Sequence, residues 1–194
     1  ETDGVGTFGE LRPHTRRHAG TATHLRLREE HIDGQEGAER GKVVAIDFDA
    51  EKPAFQDVVP QREDAVILGG SIVGDRLVIS YMVDAKTQVE RFKLDGTRDG
   101  VVDLPSVGTA GAFRGRPGDN ESFYVFSSQD TPTTIYRYDV ATNTSTVWAK
   151  PRIASDLDQL VVEQHFFASK DGTRIPMFVM RRKDVTGPAP TMLY

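Results

Sequence analysis

Hydrophobic and polar positions alternate in short runs from residue 41 to residue 150, and no segment keeps an apolar period of 3.6 residues. The pattern predicts strands and few helices. Runs rich in Val, Ile, Leu, Phe and Tyr fall at 42–48, 64–68, 76–82, 88–94, 123–127, 133–140 and 145–149. Branched and aromatic side chains suit the pleated, half-buried surface of a strand. Polar residues punctuate the runs: Asp95-Gly96, Asp99-Gly100, Pro117-Gly118-Asp119-Asn120 and Thr142-Asn143 read as turns.

The strands repeat. Ile46, Phe92 and Tyr138 stand 46 residues apart, each within a strand followed by a polar turn and a shorter strand, at 56–59, 101–104 and 146–148. The strand ahead of them repeats too, with 74–80 lying 46 residues before 120–126. A four-stranded unit of about 40–50 residues is the mark of a β-propeller blade. Units at 64–105 and 107–150, with a partial one ending near Pro60, make two to three blades. Blades bury their faces only against neighbours, so so short an arc closes no ring and the chain reads as part of something longer. A plain antiparallel meander or sandwich is the competing architecture; a spacing held twice on two strands favours the propeller.

The flanks differ. Residues 1–40 are rich in Arg, His, Gly and Thr, with one weakly alternating stretch at 23–28. They read either as a divergent blade with surface insertions or, over 1–35, as a stretch read from the wrong frame or joined by error. Residues 151–158 read as a linker. Beyond it, apolar runs at 160–169 and 173–182 flank Lys170-Asp171-Gly172, and Asp-Gly between such runs is a strong hairpin signal. A Gly/Pro loop at 186–190 leads to a further strand expected at 191–194.

Composition narrows the function classes. With 194 residues, 38% hydrophobic and 27% charged, the chain suits a globular protein of about one domain. A net charge of −5 offers no attraction for nucleic acid or an anionic membrane. No run approaches the roughly 18 apolar residues that span a bilayer. Cys is absent, which removes disulfides, thiolate nucleophiles and Cys-based metal sites and fits cytoplasm or periplasm alike. The true N-terminus is expected to be missing.

Candidate chemistry is sparse. His14, His18, His24 and His31 cluster near the start, but Pro13 precedes the first pair and no His-Glu-x-x-His frame exists, so solvated histidines are the better reading than a metal site. Arg16, Arg17, Arg26 and Arg28 could touch phosphate, against the adjacent Glu29 and Glu30. Gly69-Gly70-Ser71-Ile72-Val73-Gly74 approximates the Gly-x-Ser-x-Gly elbow of a nucleophilic serine, but its second Gly is misplaced, and a turn between strands is expected there. His165 reads as a strand residue, and Arg181-Arg182-Lys183 as a solvated face. Trp148 is expected on an outer strand, packed between blades. Asn120-Glu121-Ser122 and Asn143-Thr144-Ser145 fit glycosylation acceptors but fit turns better.

The string Ser169-Lys170-Asp171-Gly172-Thr173-Arg174-Ile175-Pro176-Met177-Phe178, with Phe166-Phe167-Ala168 before it, resembles the first hairpin of the peptidase domain in the prolyl oligopeptidase family. Pro188-Ala189-Pro190-Thr191-Met192-Leu193-Tyr194 resembles the next strand, and Ser80–Ala85 and Ser155-Asp156 are similar to its late propeller blades. The resemblance covers about 40–194. It implies an all-β segment: a partial β-propeller (41–150), a linker (151–158) and the opening hairpin of an α/β-hydrolase domain (159–194). It also implies a serine-type oligopeptidase that cleaves short peptides after proline, monomeric when complete. The family's Ser-Asp-His triad belongs beyond Tyr194, so no catalytic residue, metal ligand or cofactor is assigned here, substrate-binding residues are left unassigned, and this chain alone is expected to be inactive. The expected partner is an oligopeptide, with the propeller gating the active site. A non-catalytic propeller that binds peptide or protein is the alternative, as is an oligopeptidase B-like enzyme, which usually departs from Ile175-Pro176-Met177-Phe178.

Overall fold

Alternating apolar and polar side chains put most of the chain into strands in the computed structural model, which describes residues 38–46, 51–52, 54–153 and 157–193. The strands are β1 (Val43–Ile46), β2 (Phe55–Val59), β3 (Val66–Val73), β4 (Arg76–Val83), β5 (Lys86–Lys93), β6 (Arg98–Val102), β7 (Thr109–Arg114), β8 (Glu121–Ser127), β9 (Thr134–Asp139), β10 (Thr144–Ala149), β11 (Leu160–Ala168) and β12 (Arg174–Arg182). Among the described residues the sole helical element is a 3-10 turn at Leu157–Gln159. The weak strand expected at 23–28, His14, His18, His24, His31 and the four early arginines lie outside the described residues, as do Asp47, Phe48, Ser155, Asp156 and Tyr194.

Two four-stranded antiparallel meanders, β3-β4-β5-β6 and β7-β8-β9-β10, are the two blades. Strands β1 and β2 pair as a two-stranded sheet before them in the chain, and β11 with β12 as another after them. Faces stack in chain order. Leu77, Ile79, Tyr81 and Phe92 pack onto Val43 and Val59 of the β1–β2 sheet. The opposite face, with Val73, Val78, Val89 and Val102, packs onto Phe113, Tyr124, Phe126 and Tyr138 of the next blade. Phe113 stacks on Tyr124 with ring centroids 4.4 Å apart and meets Tyr138 edge-on at 5.5 Å. The first strands of the two blades lie side by side, as inner propeller strands do. Gly74 donates its amide to Arg116 O and accepts from Gly118 N, each at 3.0 Å.

Several local expectations are corrected. The 69–74 turn begins only at Gly74, because β3 runs through Gly69, Gly70 and Ser71 in register with β4. Asp99-Gly100 lies inside β6, since the Asp99 carboxylate accepts from Arg76 and Arg91 instead of closing a turn on its own backbone. Residues Thr191–Leu193 form no strand. Trp148 sits on outer strand β10 but is 62% exposed and meets Phe123 of its own blade edge-on at 5.4 Å. The repeat also shifts on one strand. Phe92 pairs with Leu77, whereas Tyr138, 46 residues later, pairs with Ser122, so the second strands are offset by 45. The cause is turn length: two residues join β4 to β5, six join β8 to β9. A one-residue slip moves every side chain to the other face, and Tyr124 and Phe126 therefore point where Ile79 and Tyr81 do.

Charged side chains are buried at both blade junctions. Glu90, 5% exposed, accepts from Arg62 at 3.1 Å, Arg98 at 3.0 and 3.2 Å, and Gln88 at 2.9 Å. Arg91 points the other way, as the next residue on a strand must. It donates to Asp99 at 2.7 and 2.9 Å, and across the junction to Tyr138 Oη and Val140 O, each at 3.0 Å. Tyr138 donates to Asn143 Oδ1 at 2.8 Å, and Asn143 Nδ2 returns to Val101 O at 3.0 Å, closing a ring of bonds between the blades. Asn143 is thus a structural turn residue, with φ of 55°.

Two buried tyrosines give a matched test. The Tyr81 hydroxyl has no hydrogen-bond partner, and burial pushes its pKa up to about 12. The Tyr138 hydroxyl has two. Tyr81→Phe is expected to stabilise the protein by about 1 kcal/mol and Tyr138→Phe to destabilise it by about 1 kcal/mol, because only the second loses bonds. Urea unfolding midpoints of the two variants check the opposite signs.

Candidate functional site

The connections β4–β5, β6–β7 and β8–β9 gather at one end of the blades. Thr87 N, at the start of β5, donates to Gly108 O of the β6–β7 connection at 3.0 Å. In the third, Ser128 N donates to Thr131 O at 2.9 Å, Thr131 Oγ1 to Asp130 at 3.0 Å and Thr134 Oγ1 to Pro132 O at 2.7 Å. The loop is thus held by its own polar groups, as Ser, Thr and Asp side chains permit.

The β11–β12 hairpin lies against this end. Its strands pair without slippage from Leu160↔Arg182 to Ala168↔Arg174. Its turn is closed by Gly172 N to Ser169 O at 2.9 Å, Ser169 N to Thr173 O at 2.8 Å and Thr173 N to Asp171 Oδ1 at 3.0 Å; the Thr173 amide holds the Asp171 carboxyl below the usual range. At the other end Lys183 N donates to Gln159 O at 2.7 Å, joining the hairpin to the turn that leads into it.

Between hairpin and blades is a cleft of about 370 Å³, lined by Lys86, Gly108, Thr109, Ser128, Gln129 and Phe178 among others. One ammonium, several hydroxyls, an amide and a phenyl ring give it a mixed surface. Such a surface can hold an extended peptide, whose backbone needs hydrogen bonds and whose side chains need apolar cover. Beside it, the Arg174 guanidinium lies 3.3 Å from the Asp84 carboxylate and 3.3 Å from the centre of the Phe166 ring.

The residues singled out from the sequence are scattered. The Ser71 hydroxyl donates to Phe113 O on the neighbouring inner strand, a structural contact. His165 is an exposed strand residue whose Nε2 is 3.5 Å from Glu163. Glu163 is held below its ordinary pKa first by Arg181, at 3.1 Å, and then by His165. In the basic run, Arg181 pairs with Glu163, and Arg182 with Asp184 at 3.0 Å. Among the described residues no group of three or more His, Asp or Glu could hold a metal ion. Sequence reasoning gave no site role to Asp84, Lys86, Gln164 or Phe178, though Asp84 and Phe178 lie in strings that carry the family resemblance. The available signal was the Asp84-Ala85 pair between two strong strand runs, a two-residue turn lacking the usual Asn or Gly.

A family model described as the prolyl oligopeptidase N-terminal beta-propeller domain matches residues 29–151. The prolyl endopeptidase of Elizabethkingia miricola is 32% identical over 142 residues, covering 72% of this chain and 20% of that protein. The chain spans about a fifth of the length of such curated relatives. A solved prolyl endopeptidase, described in terms of inter-domain dynamics in catalysis and specificity, superposes with a TM-score of 0.71 at 43% identity, over 77% of this chain and 22% of that one. Apo prolyl oligopeptidase B from Galerina marginata gives 0.70 at 27% identity, with the same coverage.

Proposed function

Because the chain belongs to the prolyl oligopeptidase family, we propose that it is the late-propeller and opening-hairpin segment of a serine-type oligopeptidase that cleaves short peptides after proline. The segment contributes no member of the Ser-Asp-His triad. Its part is to cover the active site: packed blades exclude folded proteins, the space beneath admits oligopeptides, and exclusion of bulk water strengthens the electrostatics of the reacting groups. Residues 159–194 open the hydrolase domain, and 151–158 are a crossing between the two domains.

The observation that carries this reading is the placement of the hairpin. It follows two consecutive blades and sits on their turn end, across a cleft, instead of adding to a blade. The Ile175-Pro176-Met177-Phe178 string on β12 favours proline over basic specificity by its resemblance to the family.

The test uses the complete protein that carries this segment. A chromogenic anilide with proline before the scissile bond is expected to be hydrolysed, an otherwise identical arginine anilide poorly, and a folded protein not at all. Preference for arginine would replace the reading with an oligopeptidase B-like one. Peptide binding without hydrolysis of either anilide would replace it with a binding module. The 194-residue chain by itself is expected to turn over neither.

A further inference from the structure

Asp84 and Ala85 form the two-residue turn between β4 and β5, both at positive φ, 49° and 62°. Positive φ at both positions matches the twist of a tight hairpin but crowds any Cβ, so Asn-Gly usually occupies it. Ala85 has no polar atom to offset that cost. Unfavourable backbone kept at an accessible turn calls for a use.

The use is visible across the cleft. Gln164 Nε2 donates to Asp84 O at 2.6 Å, and Arg174 Nη1 lies 3.3 and 3.5 Å from the two Asp84 carboxylate oxygens. These hairpin residues share one face. Gln164 and Phe166 are two apart on β11, Phe178 pairs with Gln164, and Arg174 pairs with Ala168, two further on. That face meets the blades with an amide and a guanidinium on Asp84, and with Phe178 in the cleft wall. Phe166 stacks under the Arg174 guanidinium and orients it. On the blade side, Ala85 and Lys86, the residues after Asp84, line the same cleft.

We propose that Asp84 is a latch between propeller and hairpin, whose release lets the hairpin leave the turn and opens the cleft beside Lys86 and Phe178 to peptide. The latch rests on the gating role proposed above and names the contact that sets it. Asp84 supplies both halves: its carbonyl holds Gln164 and its carboxylate holds Arg174. The positive-φ turn presents both groups outward.

Replacing the turn by its unstrained equivalent, Asp84→Asn with Ala85→Gly, separates this role from a merely structural one. The double variant removes the backbone cost and the charge together. The propeller unfolding midpoint is expected to rise while amides of β11 and β12 exchange with solvent about two- to fivefold faster, as loss of an exposed ion pair allows. Swapping the charges, Asp84→Arg with Arg174→Asp, is expected to restore protection that either single change removes. Hydrogen exchange read by mass spectrometry on the complete protein gives both results. Unchanged hairpin exchange in the Asn-Gly variant and in Arg174→Asp would overturn the latch, whatever the midpoint does. Turnover of a proline anilide by the same variants tests the gating role separately: faster exchange with unaltered turnover keeps the latch and removes the gate.

Discussion

Replacing Gly96 by alanine is expected to destabilise the propeller by about 3 kcal/mol. Gly96 closes the β5–β6 turn at φ of 84°, with its amide donating to Lys93 O at 3.0 Å. A Cβ there would lie 2.0 Å from Val58 O on β2, so the turn would have to retreat from the sheet in front of it. Two costs combine: left-handed backbone for an L residue, about 1–2 kcal/mol, and a clash with main chain that no rotamer relieves. Gly118→Ala isolates the first. Its φ is similar, 89°, but nothing lies within 4 Å of the added atom, so about 1 kcal/mol is expected. Urea titrations of the two variants check the difference. Equal losses would mean that the contact between turn and β2 contributes nothing.

Removing Arg91 is expected to cost nearly as much, about 3 kcal/mol for Arg91→Ala, for an electrostatic reason. Its guanidinium is buried between the blades and satisfies Asp99, Tyr138 and Val140 at once. Arg76 still holds Asp99 at 2.7 Å in the variant, which keeps that carboxylate below its usual pKa. Val140 O and Tyr138 Oη, however, lose this donor, and the space of a long side chain is left at the junction between the blades. Arg91→Lys is expected to recover under half the loss, since one ammonium cannot serve Asp99 in fork geometry and cross to the next blade as well. If Arg91→Ala shifts the midpoint no more than Tyr138→Phe does, the bridge between the blades is overrated and the apolar cluster alone joins them.

Much of the architecture could be read along the chain. Strand β4, Arg-Leu-Val-Ile-Ser-Tyr-Met-Val, announces itself because branched and aromatic side chains prefer the strand wherever they lie. The β11–β12 hairpin is equally plain, with Asp-Gly between two alternating runs. Strand β7, Thr-Ala-Gly-Ala-Phe-Arg, carries little such preference. It is extended because β8 pairs with it and β3 lies beside it, an effect of neighbours rather than of its own residues. Sequence spacing also misplaced one face of the second blade. A repeat counted in residues cannot see that one turn is four residues longer than its counterpart, and each single-residue slip inverts a strand.

Strand content, the hairpin, the four-stranded repeat and the family resemblance are written in residue types and their spacing, and so are legible along the chain. Tertiary structure alone decided what joins distant residues: Arg91 to Tyr138, 47 positions away, and Asp84 to Arg174, 90 away. Local propensity is nearly indifferent to whether a charged side chain ends buried, exposed or bridging. That outcome is set only when two faces dock, and the desolvation of each charge has to be met by a partner from the other face.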